Sequence, residues 1–473
     1  MPEEETINIA DKTKIPLKRV LGLPTGILLV AGIMIGSGVF KKIAPMSAAL
    51  MSEPYILAAW IIAGIITMFG AFTLAGLATT TTESGGIYEY LRLSFGNFFS
   101  FLYGFTTFTI IGSGSIAALA FIFSQSLNTL VHIPDPLKGL EHVSIGNFIF
   151  PFANSGVKIV AVITICLLTW VNYRGAKNGG VLSNVVTGAK ILGILLMIVL
   201  GLFYSNASVA DTSNAGSSIQ FSNTALFSAL FGAMLSAFWA YDGWAIISSV
   251  TGEIKDPKRN VPIAIIAGVG IAMTLYVLLN YAFMRVLPVS ELAAIDENNI
   301  AAAVVAGTLM GKAGTVVIAV LIMICTFGAV SGCIIVYPRI YYRMAQENFF
   351  FKKAANVHPT FRTPYVSLIF SMIWSSILVV SGTFDLLTNL VIFAGFFFYA
   401  LLAIGLIRMK RKGQITAKVT GYPIIPFIVI LFSLALIVNT VIVQPQQSLA
   451  GLFLVLIGVP FYYYFKRKYS NIK

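Results

Sequence analysis

An all-α membrane protein with twelve transmembrane helices is what this 473-residue sequence predicts, on three observations. Hydrophobic residues make up 58% of the chain and charged residues 10%, with a mean hydropathy of +0.88, against roughly 25% charged in a soluble globular domain. Apolar runs of spanning length, about 20 residues, fall near 22–46, 55–80, 98–127, 157–173, 180–204, 224–252, 261–287, 312–345, 364–381, 384–409, 423–442 and 448–465. The cations alternate by loop. Arg174 and Lys177 follow span 4, and Lys255, Lys258 and Arg259 follow span 6. Arg339, Arg343, Lys352, Lys353 and Arg362 fall between spans 8 and 9, and Arg408, Lys410, Arg411, Lys412 and Lys418 follow span 10. Residues 205–223 and 441–450 hold no Lys or Arg, and 382–388 hold only Asp385 as a charge. The positive-inside rule then places both termini in the cytoplasm, in agreement with Lys466-Arg467-Lys468.

The net charge of +13 is spread over separate loops, which excludes the basic stripe of a nucleic-acid binder. Residues 1–19 form a cytoplasmic tail without the apolar core of a secretory signal, so span 1 is expected to direct insertion. Cys166, Cys325 and Cys333 all fall in spans without metal-ligand spacing, so no metal and no cofactor are expected. The sequon Asn206-Ala207-Ser208 is too short a pattern to carry weight.

Two spans are interrupted at mid-length. Span 1 contains Gly32-Ile33-Met34-Ile35-Gly36-Ser37-Gly38-Val39-Phe40, and span 6 contains Phe238-Trp239-Ala240-Tyr241-Asp242-Gly243-Trp244. Lipid offers backbone N–H and C=O groups no partners, so unwound backbone at membrane depth belongs where it is buried in protein or lines a cavity. Paired interruptions in two halves of a chain point to a transporter binding site. Spans 1–5 (20–204) and spans 6–10 (224–410) read as two copies of one unit, joined by an extracellular loop at 205–223. Five helices per copy force the copies into opposite orientation, a 5+5 inverted repeat. Residues 411–473 add spans 11 and 12 and a cytoplasmic tail.

Four motifs in order resemble the amino acid, polyamine and organocation superfamily, closest to its L-type amino acid transporter branch. They are Gly36-Ser37-Gly38-Val39-Phe40, Glu83-Ser84-Gly85-Gly86-Ile87-Tyr88, Trp239-Ala240-Tyr241-Asp242-Gly243-Trp244, and the thirteen residues from Val250 to Pro262. The likeness runs from about Leu21 to Met409. It implies a LeuT-type fold, alternating access and sodium-independent exchange of L-amino acids in a cell membrane of bacterial type.

The residues themselves suit a zwitterion. The half-helix starting near Ser37 would offer the N–H groups of Ser37, Gly38 and Val39 to a carboxylate at its positive dipole end. The carbonyls ending the preceding half-helix, around Met34, would face the ammonium. Gly36 and Gly38 would let the backbone approach the ligand and take φ > 0, whereas Gly32 reads as close helix packing. Trp239 is placed as an aromatic lid, matching a gate position in relatives. Tyr241 and Trp244 are divided between the site and interfacial anchoring. Asp242, an intramembrane carboxylate, is a functional candidate because burial costs about 2.5–3.5 kcal/mol on insertion scales. Its side chain would attract a cationic substrate or, alternatively, cap a helix.

Lys190 lies ten residues into span 5. The resemblance places it where sodium-coupled relatives hold a cation, with its ammonium between carbonyls of the span 1 break and a polar group near Ser331. Where relatives carry a gating phenol in span 7, this chain has Asn280-Tyr281-Ala282-Phe283. Tyr281 stays a gate candidate beside Trp239, although it sits about 200° round the helix from position 283. Residues 128–157 hold no cysteine, so no disulfide-linked heavy chain is expected, and a monomer or weak homo-oligomer in lipid is. His132, His142 and His358 form no ligand motif, which argues against a membrane enzyme. The alternatives are a proton-coupled symporter titrating Asp242 or Glu253, and a sensor that binds amino acids without moving them.

Overall fold

The computed structural model describes residues 21–81, 85–145, 149–174, 179–204 and 223–470. The N-terminal tail, Glu83-Ser84, Lys177, the sequon and nearly all of the 205–223 loop lie outside the described residues, as does the Glu253 side chain. Among the described residues there is no strand beyond isolated bridges such as Leu21 with Ile254. Among the described residues ten helices are long and apolar enough to cross a membrane, and two shorter apolar helices, Thr187–Phe203 and Tyr365–Ser381, fall at predicted spans 5 and 9.

Span 1 divides into α1 (Leu23–Met34), α2 (Gly38–Lys41) and α3 (Ile43–Leu50). Pro24 sits in the first turn of α1, where its missing N–H costs nothing. α4 (Glu53–Ala78) also begins with a proline, and a short, largely buried helix α5 (Gly86–Phe95) follows. The third span is α6 (Asn97–Thr106), a π-helical turn at Thr107–Ile111, and α7 (Gly112–Leu130). That turn frees backbone carbonyls, and Thr107 O accepts from the Tyr341 hydroxyl at 3.1 Å and Thr109 O from the Trp374 indole at 2.8 Å. Then come α8 (Ser155–Tyr173), α9 (Gly179–Phe203) and α10 (Asn223–Tyr241). After α10 the chain turns at residues 242–245 and continues as 3-10 turns over Ile246–Glu253.

α11 (Pro257–Val286) starts on Asp256 and Pro257, several residues before the predicted start of span 7. A five-residue helix α12 (Val289–Ala293) leads to α13 (Ala301–Gln346), which is two helices meeting at Gly311, where φ is 64° and ψ −155°. The second of them starts at the expected residue 312. α14 (Tyr365–Ser381), α15 (Phe384–Arg411), α16 (Ile424–Val443), α17 (Pro445–Leu456) and α18 (Gly458–Ser470) complete the chain.

α1 lies between α9 and α11, α13 runs along α7, and α10 packs on α4, α15 and α16. The buried core follows this bundle, with Trp60, Tyr241 and Tyr276 among its largest enclosed side chains. Leu192, Phe203, Leu431 and Ile442 are more than 60% exposed, as suits side chains whose solvent is lipid.

Candidate functional site

Both sequence breaks are present and they meet. α1 ends at Met34, Ile35 to Ser37 are non-helical, and α2 restarts at Gly38. α10 ends at Tyr241, and Gly243 takes φ +100°. A methyl group added to Gly38 would come 2.5 Å from Ala240 Cα, and one added to Gly243 would come 2.6 Å from Ile33 Cγ2. Only glycines allow so close a crossing of the two unwound segments.

The expectation of positive φ at Gly36 and Gly38 is therefore corrected: neither is in the left-handed region. Gly38 is needed for contact with Ala240, while Gly36 has nothing nearer than 3.8 Å to an added methyl. Gly32 packs as expected, with Thr187 Oγ1 in the space its side chain would fill.

The freed backbone groups are partly satisfied. Lys190 Nζ donates to Gly32 O at 3.0 Å. The Tyr276 hydroxyl from α11 lies 2.6 Å from Met34 O and 3.0 Å from Ala240 O, so its single proton serves one of the carbonyls that terminate the two half-helices. Met34 O also accepts from Gly36 N–H at 2.7 Å. With the Tyr276 proton on Met34 O both of that carbonyl's lone pairs are engaged, whereas with the proton on Ala240 O one stays available for the substrate ammonium assigned to it. The amides of Ser37, Gly38 and Val39 have no hydrogen-bond acceptor among the described residues. Aligned at the start of a half-helix, they remain the available donors for an anion.

Trp239 is buried and donates from Nε1 to Ser37 Oγ at 3.2 Å, so the residue expected to act as a lid at one break is bonded to the other. Its ring stands edge-on to Phe384, with centroids 6.0 Å apart. Beyond Phe384 opens a cavity of about 240 Å³, lined in part by Gln125, Asn154, Glu297 and Asp385. Lys41 and Lys42 bond residues that line it. Lys42 Nζ bonds Asp385 Oδ1 at 2.5 Å and Thr388 Oγ1 at 2.8 Å. Lys41 Nζ bonds Gln125 Oε1 at 2.6 Å and the backbone oxygen of Glu297. Both ammonium groups lie under 5 Å from the Phe384 ring centre. In the sequence these lysines merge into an apolar run, and the lone Asp385 in an otherwise uncharged loop is the available sign of a partner.

Asp242 follows the end of α10. Its Oδ1 accepts from the Tyr399 hydroxyl of α15 at 2.8 Å, and it also takes a backbone bond from Gly243. The two side chains border a crevice of about 20 Å³ with Thr67, Tyr241 and Trp244, room for about one water. Tyr241 instead donates to Trp60 O at 3.1 Å, and Trp244 packs against Tyr399 with centroids 5.3 Å apart. Both therefore lie inside the bundle.

Two candidates stand elsewhere. Tyr281 is 37% exposed on the outside of α11, and the phenol that reaches the breaks is Tyr276, more than a turn away. Ser331 Oγ accepts from Asn172 Nδ2 at 3.1 Å, so the expected polar partner of Lys190 is held by α8.

A multi-pass helical membrane protein with two crossed, interrupted helices is the class these features define. The chain belongs to the amino acid permease family, which matches it over residues 21–463. The serine/threonine exchanger SteT of Bacillus subtilis is 30% identical over 460 residues, covering 96% of this chain and 98% of its own. The b(0,+)-type amino acid transporter 1 of Mus musculus is 29% identical over 468 residues, with 98% and 91% covered. The large neutral amino acids transporter small subunit 2 of Homo sapiens is 28% identical over 456 residues, with 95% and 81% covered. The family and these relatives are transporters rather than enzymes.

Proposed function

We propose that this chain exchanges L-amino acids across the cell membrane by alternating access, without sodium, taking neutral and cationic substrates. The reading uses a twelve-span LeuT-type arrangement with both termini in the cytoplasm. The substrate carboxylate meets the amides of Ser37, Gly38 and Val39. The ammonium meets break carbonyls released when Tyr276 lets go, and Asp242 faces the side chain.

The observation that carries sodium independence is the bond from Lys190 Nζ to Gly32 O. A fixed cation already satisfies the carbonyl end of α1, where a bound metal ion would otherwise compensate the negative dipole end. Exchange as the mode is supported by SteT, an exchanger of serine and threonine by name, at 30% identity along nearly the whole chain. Closure on the cavity side is supported by Trp239, Phe384 and the two lysines.

The test is uptake of labelled amino acids into proteoliposomes, preloaded with unlabelled substrate or empty, without sodium and with or without a pH gradient. Uptake that requires internal substrate and ignores both ions is expected. Accumulation in empty vesicles driven by a proton gradient would replace the exchanger with a symporter, and binding without flux would replace it with a sensor.

A further inference from the structure

Asp242 differs from Asp385, which lies in the first turn of α15. Asp385 is paired with Lys42, whereas no Lys, Arg or His among the described residues forms an ion pair with Asp242. Its neutral donors are the Tyr399 hydroxyl, at 2.8 Å, and the Gly243 amide. A carboxylate at this depth, without a counter-cation, leaves an electrostatic vacancy for one. Packing holds Tyr399 in position, because its ring is tilted against Trp244 with centroids 5.3 Å apart and edge-on to Phe396 at 5.6 Å.

Resting on the exchanger reading of this site, we propose that Tyr399 sets the charge selectivity of transport by occupying Asp242. Its hydroxyl competes for Oδ1 with a cationic substrate side chain. A guanidinium or ammonium must displace that bond or share the carboxylate through Oδ2, while a neutral side chain leaves it intact. Tyr399 thus biases the site toward neutral amino acids and keeps cationic ones admissible at a cost. The phenol donates one hydrogen bond, and a guanidinium can donate two parallel ones to a fully available carboxylate.

The experiment compares L-arginine with L-citrulline, its uncharged isostere, so that charge varies with little change of shape. Binding of each is measured as competition against a labelled neutral amino acid on purified protein, and exchange is followed in proteoliposomes, for wild type, Tyr399→Phe and Asp242→Asn. Phenylalanine keeps the packing on Trp244 and removes only the hydroxyl. We expect Tyr399→Phe to bind arginine about tenfold more tightly, the scale of one hydrogen bond to a charged group, with citrulline unchanged. Asp242→Asn should bind arginine no better than citrulline. Arginine binding that weakens in Tyr399→Phe, or that moves together with citrulline, overturns the proposal and makes Tyr399 a support for Asp242. Wild-type protein that binds no amino acid overturns the exchanger reading and this inference with it, whereas binding without exchange leaves the selectivity result standing by itself.

Discussion

Trp239 Nε1 and Ser37 Oγ are 3.2 Å apart, which joins the end of α10 to the last residue of the break in span 1. The two unwound segments are thereby coupled through side chains as well as through the Gly38–Ala240 backbone contact. If Trp239 is the lid and the break the carboxylate site, as proposed, this bond makes closure and the shape of that site depend on one another.

That coupling is measurable. Trp239→Phe and Ser37→Ala each remove one half of a single buried bond, worth about 0.5–1.5 kcal/mol. Each should raise the half-saturation of exchange several-fold, and the double variant should be no worse than the more impaired single one. Strictly additive losses would mean that the two side chains act on transport independently.

The charge of Lys190 makes a second prediction. Gly32 O loses its partner in Lys190→Ala, and a hydrogen bond from a charged donor is worth about 1.5–3 kcal/mol. Exchange rate should fall roughly 10- to 100-fold, with substrate affinity changed far less, since Gly32 lies a turn before the binding amides. Replacing sodium by choline should leave wild-type exchange untouched. Undiminished exchange in the variant would remove Lys190 from the mechanism.

The glycines of the first break should separate cleanly. Gly38→Ala would drive a methyl group to 2.5 Å from the Ala240 backbone, an overpacking that costs about 1–3 kcal/mol or more where backbone cannot move. Loss of folded protein or of transport is expected. In Gly36→Ala the added methyl makes only ordinary van der Waals contacts, at 3.8 Å and beyond. That variant should accumulate as well as wild type, and any weakening of substrate binding then reports a ligand near Gly36 rather than a damaged fold. Detergent-extracted monodisperse protein measured beside uptake distinguishes the two.

How much of the molecule is legible in its sequence follows from what each feature needs. Membrane spans need only apolar length, and both breaks announce themselves by glycine and polar residues where a lipid-facing helix has no use for them. The position of Lys190 is legible because a lysine deep in a span must find an acceptor, and Gly32 O is one. Bonds between distant segments are not legible, because chain order does not rank them. Tyr276 at the breaks, Tyr399 on Asp242 and Lys42 on Asp385 are separated from their partners by 242, 157 and 343 positions respectively. Each looks in isolation like a filler or interfacial residue. The exposed position of Tyr281 follows from the same helix geometry that buries Tyr276: residues five apart on α11 differ by about 140°.

The cavity above Phe384 carries the last prediction. Glu297 lies in the loop before α13, and burial, then the charge of Asp385, pushes its carboxyl above the ordinary value. A raised carboxyl takes up its proton earlier as pH falls, so the negative charge it lends the cavity is lost sooner on acidification of that side than an ordinary glutamate's would be. A cationic amino acid approaching through this cavity should feel the loss, and a neutral one should not. Acidifying the cavity side should raise the half-saturation for arginine more than that for citrulline, and should begin to do so at a higher pH than an ordinary glutamate would allow. Glu297→Gln should show the weakened arginine affinity at pH 7 and little further change below it. Since Lys41 is held by the backbone oxygen of Glu297 rather than its carboxylate, the substitution leaves the closing contacts in place. An arginine response to acid that persists unchanged in Glu297→Gln would assign the titration to another group.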